Sequence, residues 1–155
     1  MSQQKNASQL IKDFPGIYKL VQRTLPNGKV LKGHDVQGTA VFTKDGHSAI
    51  NICVHNPAEE NYHMLAYQSE YSLSEHEFTN ALNAMASQFG KPTEPVQYTF
   101  NQPKKSSTVV VENGNPVIKN PAYYPLSEFI ITSSGFTTHR AGNLKGVVDE
   151  WKKIG

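Results

Sequence analysis

The residues of this 155-residue chain that could do chemistry are six histidines, one cysteine and a scatter of carboxylates. His34, His47, His55, His63, His76 and His139 invite a metal reading. Tight metal sites need ligands at short, regular spacings, and no His-x-His or His-x3-His pair with a carboxylate partner occurs, so no metal site is expected. His55 and His63 flank a turn with Asn56-Pro57 and two glutamates between them, and both read as solvent-facing. Cys53, in INICVH, shares a strand face with Asn51 and His55. Two strand residues span ~7 Å, too far for the direct hydrogen bond that activates a thiol. An inert, buried thiol is the better reading. Glu59-Glu60, Glu75, Glu77 and Asp149-Glu150 fall beside turns or at a strand end, which are solvated positions rather than sites of raised carboxyl pKa. No constellation identifies a reaction.

The aromatics carry more information. Tyr and Phe each occur seven times, and Tyr18, Phe42, Tyr67, Tyr71, Tyr98, Phe100 and Phe129 alternate along strand-like runs with apolar neighbours. They can fill a core. In a closed barrel of eight or more strands they can instead line a pocket for one small molecule, with phenol hydroxyls and Gln22, on the face of Tyr18 and Leu20, meeting its polar end.

The elements that would position these residues are mostly strands. A short helix is expected after Asn6 or Ser8, with Leu10, Ile11 and Phe14 on one side and Pro15-Gly16 as its stop. From Gly16 the apolar period becomes two. IYKLVQRT turns at Pro26-Asn27-Gly28 into KVL. GTAVF turns at Lys44-Asp45-Gly46 into HSAINICVH. YHMLAYQSEYSLS and VQYTFN follow, STVVVENGNPVIK turns at Asn113-Gly114, SEFIITSSGFTTHR turns at Ser134-Gly135, and GVVDEWKKI ends the chain. Residues 120–126, NPAYYPL, read as a loop or bulged edge. Eight to ten strands linked by hairpins predict an antiparallel all-β domain that closes or splits into two sheets.

One stretch is ambiguous. SLSEHEFTNALNAMASQFG, residues 72–90, reads as a helix with a Ser74/Glu77 capping box and Phe78, Leu82, Met85 and Phe89 at helical spacing. It also reads as a strand that turns at Ser74 to His76, with Phe78, Asn80, Leu82, Ala84 and Ala86 on one face.

Composition excludes several classes. The net charge of +2 is too small and dispersed for a nucleic-acid footprint. A lone cysteine forms no internal disulfide and favours a reducing compartment. The opening MSQQKNASQLIKDFPG lacks the apolar core of a leader, and no run approaches the ~18 apolar residues of a membrane span, so a cytoplasmic protein without membrane insertion is expected. No cofactor is expected. An exposed edge near the Pro-rich loop would allow a homodimer.

These residues resemble those of a known family. Gly16-Ile17-Tyr18 with KLVQRT is similar to the Gly-x-Trp opening strand of calycin barrels. GTAVFTKDGHSAINI and YQSEYSLSEHEFT resemble successive hairpins of the bacterial lipocalin-like domain, and GVVDEWKKI its terminal Trp-Glu-Arg strand, with Trp151 at the Trp and Lys153 at the Arg. The resemblance implies one domain over residues 1–155: a closed or nearly closed antiparallel barrel of 8 to 10 strands, plugged at one end by an aromatic beneath a short N-terminal helix. It favours the strand reading of residues 72–90. It also implies binding of a small, largely apolar ligand inside, lined by Tyr18, Leu20, Gln22, Phe42, Tyr67, Tyr71, Tyr98, Phe100, Phe129 and His139. His139 enters because haem-binding calycins take an axial histidine from a late strand. A cyclase or isomerase using the same pocket, and a ligand-free structural or interaction module, are the alternatives. Tyr18 stands where most relatives have Trp, and Lys153 lacks the planar guanidinium that stacks over it, so the closed end is expected to be held differently.

Overall fold

The computed structural model describes residues 5–155; the first four residues of the stretch inspected for a leader lie outside it. Asn6 starts the helix α1 (Ala7–Lys12), its side-chain oxygen accepting from the Gln9 N–H at 2.9 Å. Twelve strands follow: β1 (Gly16–Thr24), β2 (Val30–Lys32), β3 (Val36–Phe42), β4 (His47–Asn56), β5 (Asn61–Leu73), β6 (Glu77–Gly90), β7 (Gln97–Phe100), β8 (Lys105–Glu112), β9 (Asn115–Lys119), β10 (Leu126–Ile131), β11 (Gly135–Arg140) and β12 (Val148–Lys153). The expected turns fall between them. At Asn113 and Gly114 both φ values are positive, +53° and +81°, as the tightest hairpin turn requires.

Ten strands close into an antiparallel barrel in the order β1, β3, β4, β5, β6, β8, β9, β10, β11, β12, with β12 pairing back onto β1 from Tyr18–Lys153 to Thr24–Val148. The short β2 extends the pairing of β1, and β7 continues the β8 side of β6 along its second half. Among the described residues no helix is long and apolar enough to cross a membrane.

Residues 72–90 follow the strand reading, with β5 ending at Leu73, a turn over 74–76 and β6 running on to Gly90. β6 is paired with β5 from Leu73–Phe78 to Tyr62–Gly90, and β8 and β7 hold its other edge. The residues that resemble a helix cap serve the turn instead, since the Ser74 hydroxyl accepts from the Glu77 N–H at 3.1 Å. The same local bond fits both structures, and two edges of pairing partners decide between them.

Bulges reset the alternation. Leu20 faces Trp151 but Gln22 faces Glu150, so Val21 is an extra residue in β1. The inward series therefore runs Tyr18, Leu20, Arg23, and Gln22 is only half-buried. In β6, Ser69 faces Leu82 while Gln68 faces Ala84, which makes Asn83 the extra residue. The series Phe78, Asn80, Leu82 then continues as Met85, Ser87 and Phe89, not as the expected Ala84 and Ala86. A bulge costs one ladder position and bends the strand, which helps a sheet close.

Aromatic packing fills the end beneath α1. Phe14 inserts between Phe42, 4.5 Å between ring centroids, and Phe129 at 6.0 Å. Phe136 stacks on Phe129 at 4.3 Å and on Trp151 at 5.2 Å. The Tyr18 hydroxyl donates to the Phe14 carbonyl, and Lys153 donates to the carbonyl of Asp13, the helix C-cap. Lysine thus holds the helix end through a point charge on a carbonyl, where a guanidinium would have stacked on a ring. Gly135 is required here: a Cβ would lie 1.9 Å from the Trp151 carbonyl oxygen.

Candidate functional site

The interior titratable cluster is built from four strands. Arg23 on β1 lies directly opposite Asp149 on β12, and its Nε and Nη2 donate to the two carboxylate oxygens at 2.7 and 2.9 Å. Arg140, the last residue of β11, donates to the same carboxylate from Nε at 3.2 Å and Nη2 at 3.1 Å. His63 on β5 reaches in from the far side, its Nδ1 at 3.1 Å from Arg23 Nη2. Since an arginine can only donate, Nδ1 accepts and the proton of the neutral ring sits on Nε2. The exposures are 3% for Arg23, 5% for Arg140, 8% for His63 and 0% for Asp149, which makes this a charged cluster inside the barrel.

The electrostatics follow from that placement. Burial alone would push the Asp149 carboxyl up, but the hydrogen bonds and charges of Arg23 and Arg140 together outweigh it and hold its pKa below the usual range. Burial, reinforced by the two guanidinium charges, lowers the His63 pKa to about 3, so the imidazole stays neutral near pH 7. Burial also lowers that of Arg140, with Asp149 opposing, and a guanidinium remains charged regardless. Two cations share one anion.

On the inner side of this cluster the barrel is nearly full. Tyr67, Met85, Tyr124, Thr138 and Trp151 border a cavity of about 30 Å³ with Arg140 on its wall, enough for water and too small for an organic ligand. Tyr124 is folded in from the 120–125 loop, its ring 4.8 Å from that of Tyr67. On the outer side lies a pocket of about 330 Å³, with Arg23 and His63 at its floor. Leu25, Leu31, Val54, Phe89, Leu144 and Val147 supply its apolar wall, and Asn56, Asn61, Glu59 and Lys145 its polar rim. The Phe89 ring stands edge-on to His63 at 5.8 Å, an inward position that the β6 bulge creates.

The expected ligand-lining residues are distributed differently. Tyr18, Leu20, Phe42 and Phe129 are buried, but the rings touch across the barrel, with Phe42 at 6.3 Å from Phe129. They form a packed plug. Tyr67 and Phe129 border only the small cavity. Tyr71 donates its hydroxyl to the Thr43 carbonyl at 2.7 Å, and burial raises its pKa to about 12. Gln22 and His139 lie on the outward phase of their strands, half-buried, while Arg23, Thr138 and Arg140 take the inward positions. Tyr98 and Phe100 are 66% and 59% exposed and stack on each other at 6.3 Å on the outer face of β7.

Three expectations about titratable residues are corrected. Asp149 is buried rather than solvated, because closure of the barrel sets it on the inward face of β12 opposite the buried Arg23 and Thr138, while Glu150 beside it points out. His63 is interior: it pairs with Val54 across β4 and β5, while His55 pairs with Tyr62, stacks on its ring and sits 3.3 Å from Asp35. Cys53 lies half-exposed on the outward phase of β4 as a free thiol, not buried. Among the described residues no group of three or more His, Cys, Asp and Glu is placed to hold a metal.

No protein-family model matches the chain, and neither a curated protein nor a solved structure does. The closed ten-stranded antiparallel barrel is consistent with a calycin-like fold.

Proposed function

We propose that this barrel is a lipocalin-like domain that binds a small, largely apolar molecule at its open end. The observation that carries the reading is the mouth pocket, whose volume of about 330 Å³ lies at the low end of the ~300–1,000 Å³ of small-molecule sites. Its mainly apolar wall with two converging polar groups has the composition such sites use. The hairpin order, the helix over the closed end and Trp151 on the last strand support the lipocalin-like assignment. The free thiol of Cys53 suits a reducing compartment and supports a cytoplasmic setting. A ligand-free module is the rival reading, favoured by the ring packing of the lower barrel.

The two separate by titration with N-phenyl-1-naphthylamine, a neutral probe that fluoresces in apolar surroundings. The expected result is saturable one-to-one binding to the native chain and its loss in Leu144→Trp, which fills the mouth from a half-buried rim position. Absence of saturable binding, or binding that Leu144→Trp leaves unchanged, would overturn the proposal in favour of the rival.

A further inference from the structure

The interior charges do not balance. Arg23 and Arg140 carry two positive charges and Asp149 one negative charge, all at or below 5% exposure, and His63 contributes none while it accepts from Arg23. Among the described residues the mouth's other charges are Glu59 and Lys145, both exposed on the rim and cancelling each other, with Glu59 accepting from the Asn61 side chain at 3.1 Å. A surplus positive charge is thus largely buried, reaching solvent only at the floor of the mouth pocket, and that burial penalises it unless an anion comes within reach. Donors are ready for one. Arg23 uses Nε and Nη2 on its protein partners, leaving Nη1 without a hydrogen-bond partner among the described residues, and His63 has its Nε2–H likewise free. Both residues form the floor of the mouth pocket.

We propose that the ligand of this pocket is an amphipathic monoanion, whose carboxylate is received by Arg23 Nη1 and His63 Nε2 while its apolar body lies along Leu31, Val54 and Phe89. This rests on the reading of the mouth as a ligand site and adds the chemical class of the ligand. Charge arithmetic selects a single negative charge: one carboxylate brings the cluster to neutrality, and a dianionic phosphate would overshoot it. Arg23 Nη1 and His63 Nε2 are separate donors, and a carboxylate has two oxygens to accept one hydrogen bond from each, the one from the guanidinium being charge-assisted. His63, neutral and oriented by Arg23, acts as a second donor that adds no charge of its own.

The test uses the full chain with N-phenyl-1-naphthylamine as reporter and two competitors of equal length, octanoate and octanamide. Octanoate is expected to displace the probe at a concentration at least tenfold lower than octanamide, with most of that advantage persisting at high salt because the site is buried. In Arg23→Gln, which leaves Arg140 and Asp149 as a neutral pair, the two competitors should become equal to within about twofold. His63→Leu should reduce the preference less, and it supplies the test if Arg23→Gln does not fold. Equal displacement by both competitors in the native chain, or a preference unchanged in the variants, overturns the proposal while leaving the mouth as an apolar site. If the probe does not bind saturably to the native chain, both readings fall.

Discussion

At the scale of single residues, the buried triad of Arg23, Asp149 and Arg140 governs stability and, in the site proposed above, selects the ligand's charge. Removing one partner of a buried ionic group leaves an uncompensated charge, whereas removing surplus charge can be neutral or favourable. Asp149→Asn is therefore expected to destabilise the fold by ~3–5 kcal/mol. Arg140→Met, which leaves Arg23 and Asp149 as a neutral pair, should cost far less. Urea unfolding of the two variants checks the order, and a milder Asp149→Asn would refute the charge count. His63 makes the same region sensitive to acid. Its folded pKa of about 3 lies below the ~6.5 of a free imidazole, so between those values the unfolded chain binds a proton that the folded chain does not. Stability should fall as the pH drops from about 6.5 toward 3, at up to ~1.4 kcal/mol per pH unit from this group. Asp149, also depressed, adds its loss only below the ordinary carboxyl range. Unfolding midpoints measured between pH 7 and pH 4 should show the slope, and His63→Leu should remove most of it. The inward place of His63 was open to sequence reading: His63, Leu65, Tyr67 and Ser69 share one phase of a regular alternation, and only the flanking turn pointed to solvent.

At the scale of elements, α1 is too short to be stable alone and exists because Leu10 and Phe14 are buried at the barrel end. Phe14 meets the rings of Phe42, Phe129, Phe136, Tyr18 and Tyr71. Phe14→Ala should cost ~3–5 kcal/mol, the usual range for a buried ring, and should expose the helix amides to hydrogen exchange without altering probe binding at the distant mouth. Loss of probe binding in a folded Phe14→Ala chain would show that the two ends are coupled, contrary to this expectation. The strands themselves were legible from period two and from turn residues such as Asn113-Gly114 and Asp45-Gly46. Their phase beyond a bulge was not. Val21 is a favoured strand residue, and Asn83, though disfavoured in strands, sits in a run with Asn80 and carries no local mark as the one without a partner. Arg23 and Phe89 consequently fall on the outer face in a strict alternation and on the inner face in the barrel.

For the whole molecule, the defining contact is the seam between β1 and β12, which joins opposite ends of the chain. Closure of so long a loop is entropically costly before its contacts form, so refolding should take milliseconds to seconds rather than microseconds. Stopped-flow Trp151 fluorescence reports it directly, since that residue stacks on Phe136 beside the seam. A microsecond phase carrying the whole signal change would contradict this picture. The same closure divides the interior into an aromatic plug, a charged band and an open mouth. The fold class, the helix over the closed end and the choice of strand for residues 72–90 followed from sequence patterning and from the hairpins the chain resembles.

Local chemistry acts within a few residues, so the sequence by itself determined where strands start, where the chain reverses and that an aromatic core would form. Tertiary pairing decided which face each side chain takes past a bulge, how tightly the rings would fill the barrel, and that Asp149 would be enclosed between Arg23 and Arg140. The physical reason is that burial of a charge depends on what lies across the sheet from it, and strands 126 residues apart in sequence meet there only once the barrel has closed.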